Sequence, residues 1–363
     1  KNLIIKLKKN FSVEICAGGN HFSAKFGYTF KEIINDKNII KYRSSQRTNT
    51  FDDYSLLKFM SNSLLEYSKF ISISKSDLII ILGDRYEAFT FAIASFFLKK
   101  KIIHIHGGEV TSGAFDDSLR HSISKLSNYH FVSHKDYQKR LIQLGEDKKK
   151  IYITGALGTE NFFKTIKLNK KEIIKKLNLN KNFKTALVTF HPETRSIVPI
   201  KKQIIIFLES LKKIKNINFV FTYNNADTEA NYFIKKIQEF SKIKNKNFRL
   251  IKSLGSSMYF SILQSADIII GNSSSGILEA PSAKTPTLNI GNRQLGRIFA
   301  PSVFQCDLIE DQIPKKILKI LKLKKIVFKN PYYKKNISEK MIHLCKKILL
   351  EKNEVLKRFY DIK

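Results

Sequence analysis

The chain has 363 residues, 43% of them hydrophobic, and carries 65 Lys and Arg against 31 Asp and Glu, a net charge of +34. That length suits two domains better than one ordinary core, and that hydrophobic content excludes a disordered chain. No run of eighteen uncharged apolar residues occurs, so no transmembrane helix and no membrane partner are indicated.

The charge invites a nucleic-acid partner, yet the basic residues are mostly Lys, scattered among many Ile and Asn as an AT-rich genome would write them. Lys99-Lys100-Lys101 and Lys148-Lys149-Lys150 fall where helices should end, and there they favour the helix dipole. No aromatic-interleaved basic stripe or zinc-finger spacing occurs, so no nucleic acid is expected, although a basic field attracts an anionic ligand. Cys16, Cys306 and Cys345 are odd in number, widely spaced and outside any Cys-x-x-Cys pair. They argue against a disulfide framework and a zinc site and for a reducing, cytoplasmic compartment.

Along the chain, residues 1–9 lack an initiating Met and a secretory apolar region. They read as the tail of an amphipathic helix, with residues expected upstream. A strand over 12–17 ends at Gly18-Gly19, and a helix is expected over 51–71. Then follow a strand over 77–82, a helix over 87–98, a strand over 101–106 and a helix over 118–126. A strand over 129–133, a helix over 135–144 and a strand over 151–154 complete the first half. The second half repeats the grammar, with strands over 185–190, 218–222, 248–251, 266–270 and 287–290. Helices over 201–213, 230–241, 259–264 and 276–283 separate or follow them, and a last helical pattern covers 339–359.

Continuous apolar strands separated by helices imply parallel sheets covered on both faces. The expected class is therefore α/β, with two doubly wound domains facing each other across a cleft. The polar Lys/Asn-rich stretch over 164–184 is the expected boundary. It divides residues 1–163 from 164–335, leaving 336–363 as a helix in need of a surface. Ligands bind such sheets beyond the carboxyl ends of the strands, so the informative residues are those just after each strand.

Gly83-Asp84-Arg85-Tyr86-Glu87 follows one strand. Asp84 and Arg85 there serve either as N-cap and surface base or as a cleft carboxylate beside a guanidinium for a phosphate or acyl group. His104-Ile105-His106-Gly107-Gly108-Glu109 follows the next, then Ala114-Phe115-Asp116-Asp117-Ser118-Leu119-Arg120-His121. Strand alternation puts His104 and His106 on one face. His104 as a satisfied core residue and Asp116 or Asp117 as helix caps are the plain alternatives. No His-x-x-x-His or Glu-x-x-His pair supports a metal, so proton-transfer groups fit better.

In the second half, Phe190-His191-Pro192-Glu193-Thr194 places His191 on the facing wall. Ile270-Gly271-Asn272-Ser273-Ser274-Ser275-Gly276 runs from a strand straight into a helix. Its N–H groups and hydroxyls suit a phosphate, though a serine-rich N-cap has the same look. Glu279 lies one turn in, placed for vicinal ribose hydroxyls, and Arg293 follows the next strand.

Gly-Asp-Arg-Tyr-Glu, His-Ile-His-Gly-Gly-Glu-x-Thr-x-Gly-Ala-Phe-Asp-Asp-Ser-Leu-Arg-His and Gly-Asn-Ser-Ser-Ser-Gly-Ile-x-Glu-Ala-Pro together resemble the hydrolysing UDP-N-acetylglucosamine 2-epimerases of sialic-acid-type biosynthesis. The likeness runs from about residues 26–29 to about Gln305. It implies a GT-B-like fold, an active site between two Rossmann-like domains, and a C-terminal helix packed back on the first domain. Asp84 and Asp116 match acid/base positions and His191 a histidine facing diphosphate and sugar. Arg85 matches a substrate-binding arginine, and Ser273, Ser274, Glu279 and Arg293 match the UDP-binding set. Glu109, Asn272, Ser275 and Gly276 join these as expected binding residues.

One departure is His106, where some members carry glutamate. Histidine there resembles relatives acting on 2,4-diacetamido-trideoxy sugars on the way to legionaminic acid, so His106 becomes a catalytic candidate. A second expected departure is the family's first strand and its arginine-bearing loop, which the sequence reads as lying upstream of residue 1. The resemblance implies no cofactor and no metal, and a homo-oligomer, dimer or tetramer, is expected. The implied substrate is UDP-N-acetylglucosamine or UDP-2,4-diacetamido-2,4,6-trideoxyglucose. The implied chemistry is elimination of UDP to a glycal, then water addition to the free 2-epimer. Sequence does not divide base from acid among Asp84, His106 and Asp116. A non-hydrolysing epimerase is the nearest alternative, and a GT-B glycosyltransferase, which would need an acceptor, stands further off.

Overall fold

In a computed structural model, residues 2–22, 40–43, 53–223, 229–243, 247–252, 254–351 and 357–362 are described. Residues 26–29, where the family likeness begins, lie outside them, as do the first two positions of the helix expected over 51–71 and residues 352–356.

Four short apolar strands build one parallel sheet: β3 (Leu78–Leu82), β4 (Lys101–Ile105), β5 (Tyr129–Val132) and β6 (Ile151–Ile153), adjacent in that order. β1 (Glu14–Ala17) and β2 (Ile40–Arg43) pair as a separate two-stranded parallel sheet. The second large sheet holds β7 (Lys184–Thr189), β8 (Ile217–Thr222), β9 (Phe248–Ile251), β10 (Ile268–Gly271), β11 (Thr287–Ile290) and β12 (Val303–Cys306). Its spatial order is β12-β11-β10-β7-β8-β9.

Pleating explains why these strands read as unbroken hydrophobic runs. Ala186, Val188, Phe219, Phe221, Ile268 and Ile270 fill the core on one face, under Phe207, Phe233 and Ile313 from three helices. The residues between them, Leu187, Val220 and Ile269, fill the core on the other face, with Ile262, Leu263 and Ala280. The order also sets the site. β8 and β9 build away from β7 on one side, and β10 to β12 build away on the other. The direction in which strands are added reverses between the parallel strands β7 and β10, and the crevice at that switch point opens where His191 and Asn272 leave their strands.

The helix Ile337–Leu350 lays Ile337, Met341, Leu344, Cys345 and Ile348 on Ile103, Ile105, Tyr129 and Phe131 of the first sheet. It is shorter than the pattern over 339–359 suggested. Residues 357–362 lie outside any helix, and there the Lys357 amine caps the carbonyls of Ser124, Lys125 and Ser127 at 2.8–3.1 Å and pairs with Glu146.

Three further expectations change. The stretch over 164–184 contains a helix, Lys170–Lys176, begun by a full capping box of Asn169 and Glu172. The helix expected over 276–283 is two short turns, Ser275–Leu278 and Ala280–Ala283, parted at Glu279 with Pro281 opening the second. The strand expected over 101–106 stops at Ile105, because His106 adopts a left-handed backbone with φ 71°. The strands β2 and β12 and the helix Gln312–Leu321 were not anticipated.

Candidate active site

The first wall is built on the corner after β3. His104, fully buried in β4, holds that corner: its Nε2 lies 2.8 Å from the Gly83 carbonyl and its Nδ1 2.9 Å from Ser124 Oγ. Burial pushes its pKa down to about 3, so it is a neutral strut. Asp84 then meets Arg120, 1% exposed, in a close ion pair. Burial alone would raise the Asp84 pKa, but Arg120 and then Arg297 outweigh it and hold the carboxylate below its ordinary value. Arg120 is itself fixed by the Glu109 carbonyl at 3.0 Å, Thr111 Oγ1 at 3.1 Å and Asp117 at 3.3 Å.

The left-handed turn at His106 breaks the strand alternation that would have placed it beside His104. Its ring instead turns toward Glu109, with Nδ1 2.6 Å from Oε1. Glu109 is fully buried, and the same Oε1 accepts from Ser133 Oγ at 2.9 Å. Its Oε2 lies 2.7 Å from Arg297 Nη2. Burial opposes the charge on Glu109, but Arg297 and His106 more than compensate and hold it well below the usual carboxylate range. An ionised acceptor at Nδ1 selects the tautomer with its hydrogen there and leaves the Nε2 lone pair unused by that pair.

Asp116 opens the helix Asp116–Leu126, and Arg85 Nη1 lies 3.9 Å from its Oδ1. The Arg85 guanidinium also rests 4.4 Å from the Tyr86 ring centre. No side-chain cap bond is made at either helix start, after Arg85 or after Phe115. The N-cap positions are thus held by Arg85 and Phe115, with Asp84 before the first helix and Asp116 inside the first turn of the second.

On the second wall Asn272 is fully buried and spends its amide on the backbone of His191: Oδ1 accepts from His191 N at 2.7 Å and Nδ2 donates to His191 O at 2.9 Å. Its role is thus to fix His191 at the switch-point crevice. Glu193, 3% exposed, accepts from the backbone N–H groups of Asn292 and Arg293 at 2.7 and 3.1 Å. Ser274 makes no side-chain cap bond, and Ser273 Oγ takes the Ser275 N–H only at 3.4 Å. With a four-residue helix behind it, this corner offers hydroxyls and N–H groups more than a macrodipole. Burial raises the Glu279 pKa to about 7.

The two walls touch. Gly158 opens onto the Glu279 carboxylate, which a Cβ there would strike. A Cβ on Gly113 would sit 2.8 Å from the Arg293 backbone nitrogen. Ser112 N donates to Leu295 O at 3.1 Å, and Arg195 Nη2 to Ser118 Oγ at 2.7 Å. Asp84, His106 and Glu109 thus share one network, and Asp116 stands beside Arg85. His191, Ser273 to Gly276, Glu279 and Arg293 line the opposite side. Sequence reading missed Arg297 and the clasp of Glu193 on the 292–293 backbone, and it treated Arg120 only as part of a motif. The Gly-Asn-Arg-Gln-Leu-Gly-Arg spacing, which repeats arginine at four residues, is the one signal that pointed to Arg297.

Comparison with known proteins gives a consistent picture. The family model described as UDP-N-acetylglucosamine 2-epimerase matches residues 4–346. A Campylobacter jejuni protein named GDP/UDP-N,N'-diacetylbacillosamine 2-epimerase (hydrolyzing) is 38% identical over 304 residues, covering 84% of this chain and 79% of its own. The polysialic acid biosynthesis protein P7 of Escherichia coli is 36% identical over 358 residues, 96% of this chain and 90% of its own. Among solved structures, UDP-GlcNAc 2-epimerase from Neisseria meningitidis bound to UDP-GlcNAc superposes with a TM-score of 0.71 over 92% of this chain and 99% of its own, at 20% identity. That likeness carries the GT-B fold.

Proposed function

We infer the reaction from one premise, that the chain belongs to the UDP-N-acetylglucosamine 2-epimerase family: it is a hydrolysing UDP-sugar 2-epimerase. It converts UDP-N-acetylglucosamine or UDP-2,4-diacetamido-2,4,6-trideoxyglucose to UDP and the free 2-epimer. The observation that carries the residue assignment is the His106–Glu109 pair at 2.6 Å, facing a wall of hydroxyls and N–H groups at Ser273–Gly276.

The base removes the proton at C2 while the C1–O bond breaks, its electron pair leaving with UDP, and a glycal remains. Water then adds its hydroxyl at C1 as a proton returns to the other face of C2. C2–H is weakly acidic, and a carboxylate held at low pKa is a poor base for it. Asp84, locked to Arg120, therefore serves as a fixed charge. His106, with Nδ1 held by Glu109, is the base through Nε2, and Asp116 is the second proton carrier. Arg85, Arg293, His191 and the serine corner stabilise the charge on the leaving diphosphate. Glu279 receives the ribose.

Residues 1–163 and 164–335 are the two units that enclose this site, with 336–363 returning to the first. The similarity to a diacetylbacillosamine epimerase favours the diacetamido sugar, and with it a legionaminic-acid route in the cytoplasm. A dimer or tetramer is the proposed assembly.

NMR of the protein in D₂O with each UDP-sugar in turn tests the reaction. Deuterium at C2 of a free sugar, with free UDP, is the expected result. UDP-sugar epimerised without UDP release would select the non-hydrolysing route, and no turnover of either substrate would sink the reading.

A further inference from the structure

Arg297 is the residue of the site that no motif assigned. It belongs to the loop after β11, yet its Nη2 crosses to Glu109, on the loop after β4, at 2.7 Å. Its side chain is 8% exposed, and Nε and Nη1 are buried without a hydrogen-bond partner. A buried guanidinium with two unpaired nitrogens, held by an ion pair alone, is costly to the fold. What holds it is the carboxylate that also holds the His106 ring.

The neighbouring backbone brings it there. Ser112 N donates to Leu295 O at 3.1 Å, and the Gly296 backbone, with φ 92°, packs directly against Val110. The strap Leu295–Gly296–Arg297 is therefore docked on the 107–113 loop. The charged groups about His106 are Glu109 from its own loop, Glu279 from the opposite corner and, through Glu109, Arg297 and Arg120.

Resting on the epimerase reading above, we propose that Arg297 is a positioning residue for the base: it takes one oxygen of Glu109, leaves the other for His106 Nδ1, and so aligns the ring only when the two walls are docked. The charge matters as much as the geometry. The guanidinium takes a share of a carboxylate charge that would otherwise fall wholly on the imidazole.

The test compares Arg297→Met, Arg297→Lys and Glu109→Gln with the wild type, following UDP release across pH about 5 to 9, with thermal melts as a check of folding. Arg297→Met should lower kcat at neutral pH by about tenfold or more and move the acid limb of the kcat profile up by about one pH unit. KM should change by less than roughly threefold, and Arg297→Lys should restore most of both effects. Glu109→Gln should move the acid limb the other way while lowering kcat. A raised KM with an unmoved acid limb would show that Arg297 only binds substrate, and a lysine no better than methionine would equally overturn the proposal.

If Arg297→Met does not fold, the lysine and glutamine variants still decide the matter. NMR titration of the His106 ring in the same proteins needs no turnover. A midpoint higher in Arg297→Met than in the wild type supports the proposal, and an equal midpoint refutes it. Wild type that releases no UDP from either sugar would instead strike the epimerase reading alone.

Discussion

At the residue scale, Glu279 carries two opposed demands. Its carboxyl is buried, which raises its pKa to about 7, while receiving a ribose favours the charged form. A carboxyl whose folded pKa lies above its unfolded value lets the folded state hold more protons. Stability through Glu279 is therefore fully present below about 4.5 and lost as pH rises toward about 7. Glu279→Gln should accordingly be more stable than wild type at pH about 8, by roughly 1–2 kcal/mol, and no different near pH 4. The same variant should bind UDP at least about tenfold more weakly at the higher pH. Thermal melts and calorimetric titration with UDP check the two halves, and a variant that loses both stability and affinity would show that Glu279 is structural.

Gly158 and the strand ends are features of elements. Gly158 lies in the first turn of the helix Leu157–Lys164, whose only role in a propensity argument would be to weaken it. The geometry supplies the reason for glycine: a methyl group there meets the Glu279 carboxylate. Gly158→Ala should leave the melting temperature within a few degrees of wild type. It should lower kcat/KM by about 10- to 100-fold through a displaced Glu279, measured by UDP release. Strand and helix types were legible because β3, β4 and β10 are short apolar runs stopped by glycine or a polar corner. β2 and β12 were not, since Ile-Lys-Tyr-Arg and Val-Phe-Gln-Cys carry no such run. His106 misled for another reason, since a left-handed residue after a strand leaves no mark in the alternation pattern.

For the whole molecule, the helix Ile337–Leu350 closes the first sheet from the far end of the sequence. Met341 is fully buried in that contact. Met341→Ala should cost about 2–5 kcal/mol in chemical denaturation, because the cavity it leaves lies between rigid strands and a helix. Activity at temperatures well below the melt should be retained, and a loss of activity without a loss of stability would contradict this. The net charge of +34 acts at the same scale. A basic field draws the anionic nucleotide sugar, so kcat/KM should fall as ionic strength rises from about 0.01 to 0.15 M while kcat stays nearly constant.

By itself the sequence determined the class of fold and the family, and it pointed to the corners after the strands as the place for a site. Those features rest on local signals: apolar runs that must be buried, glycines that stop them, and polar residues grouped at the corners after them. Tertiary structure alone decided how those corners meet. The crevice between β7 and β10 exists because of strand order, which no local pattern encodes. His104 became a buried strut and His106 a ring held on Glu109 through one backbone angle and a partner three residues on. Arg297 reaches Glu109 because a loop from the other sheet docks beside Val110, a contact set by packing across nearly two hundred residues of chain.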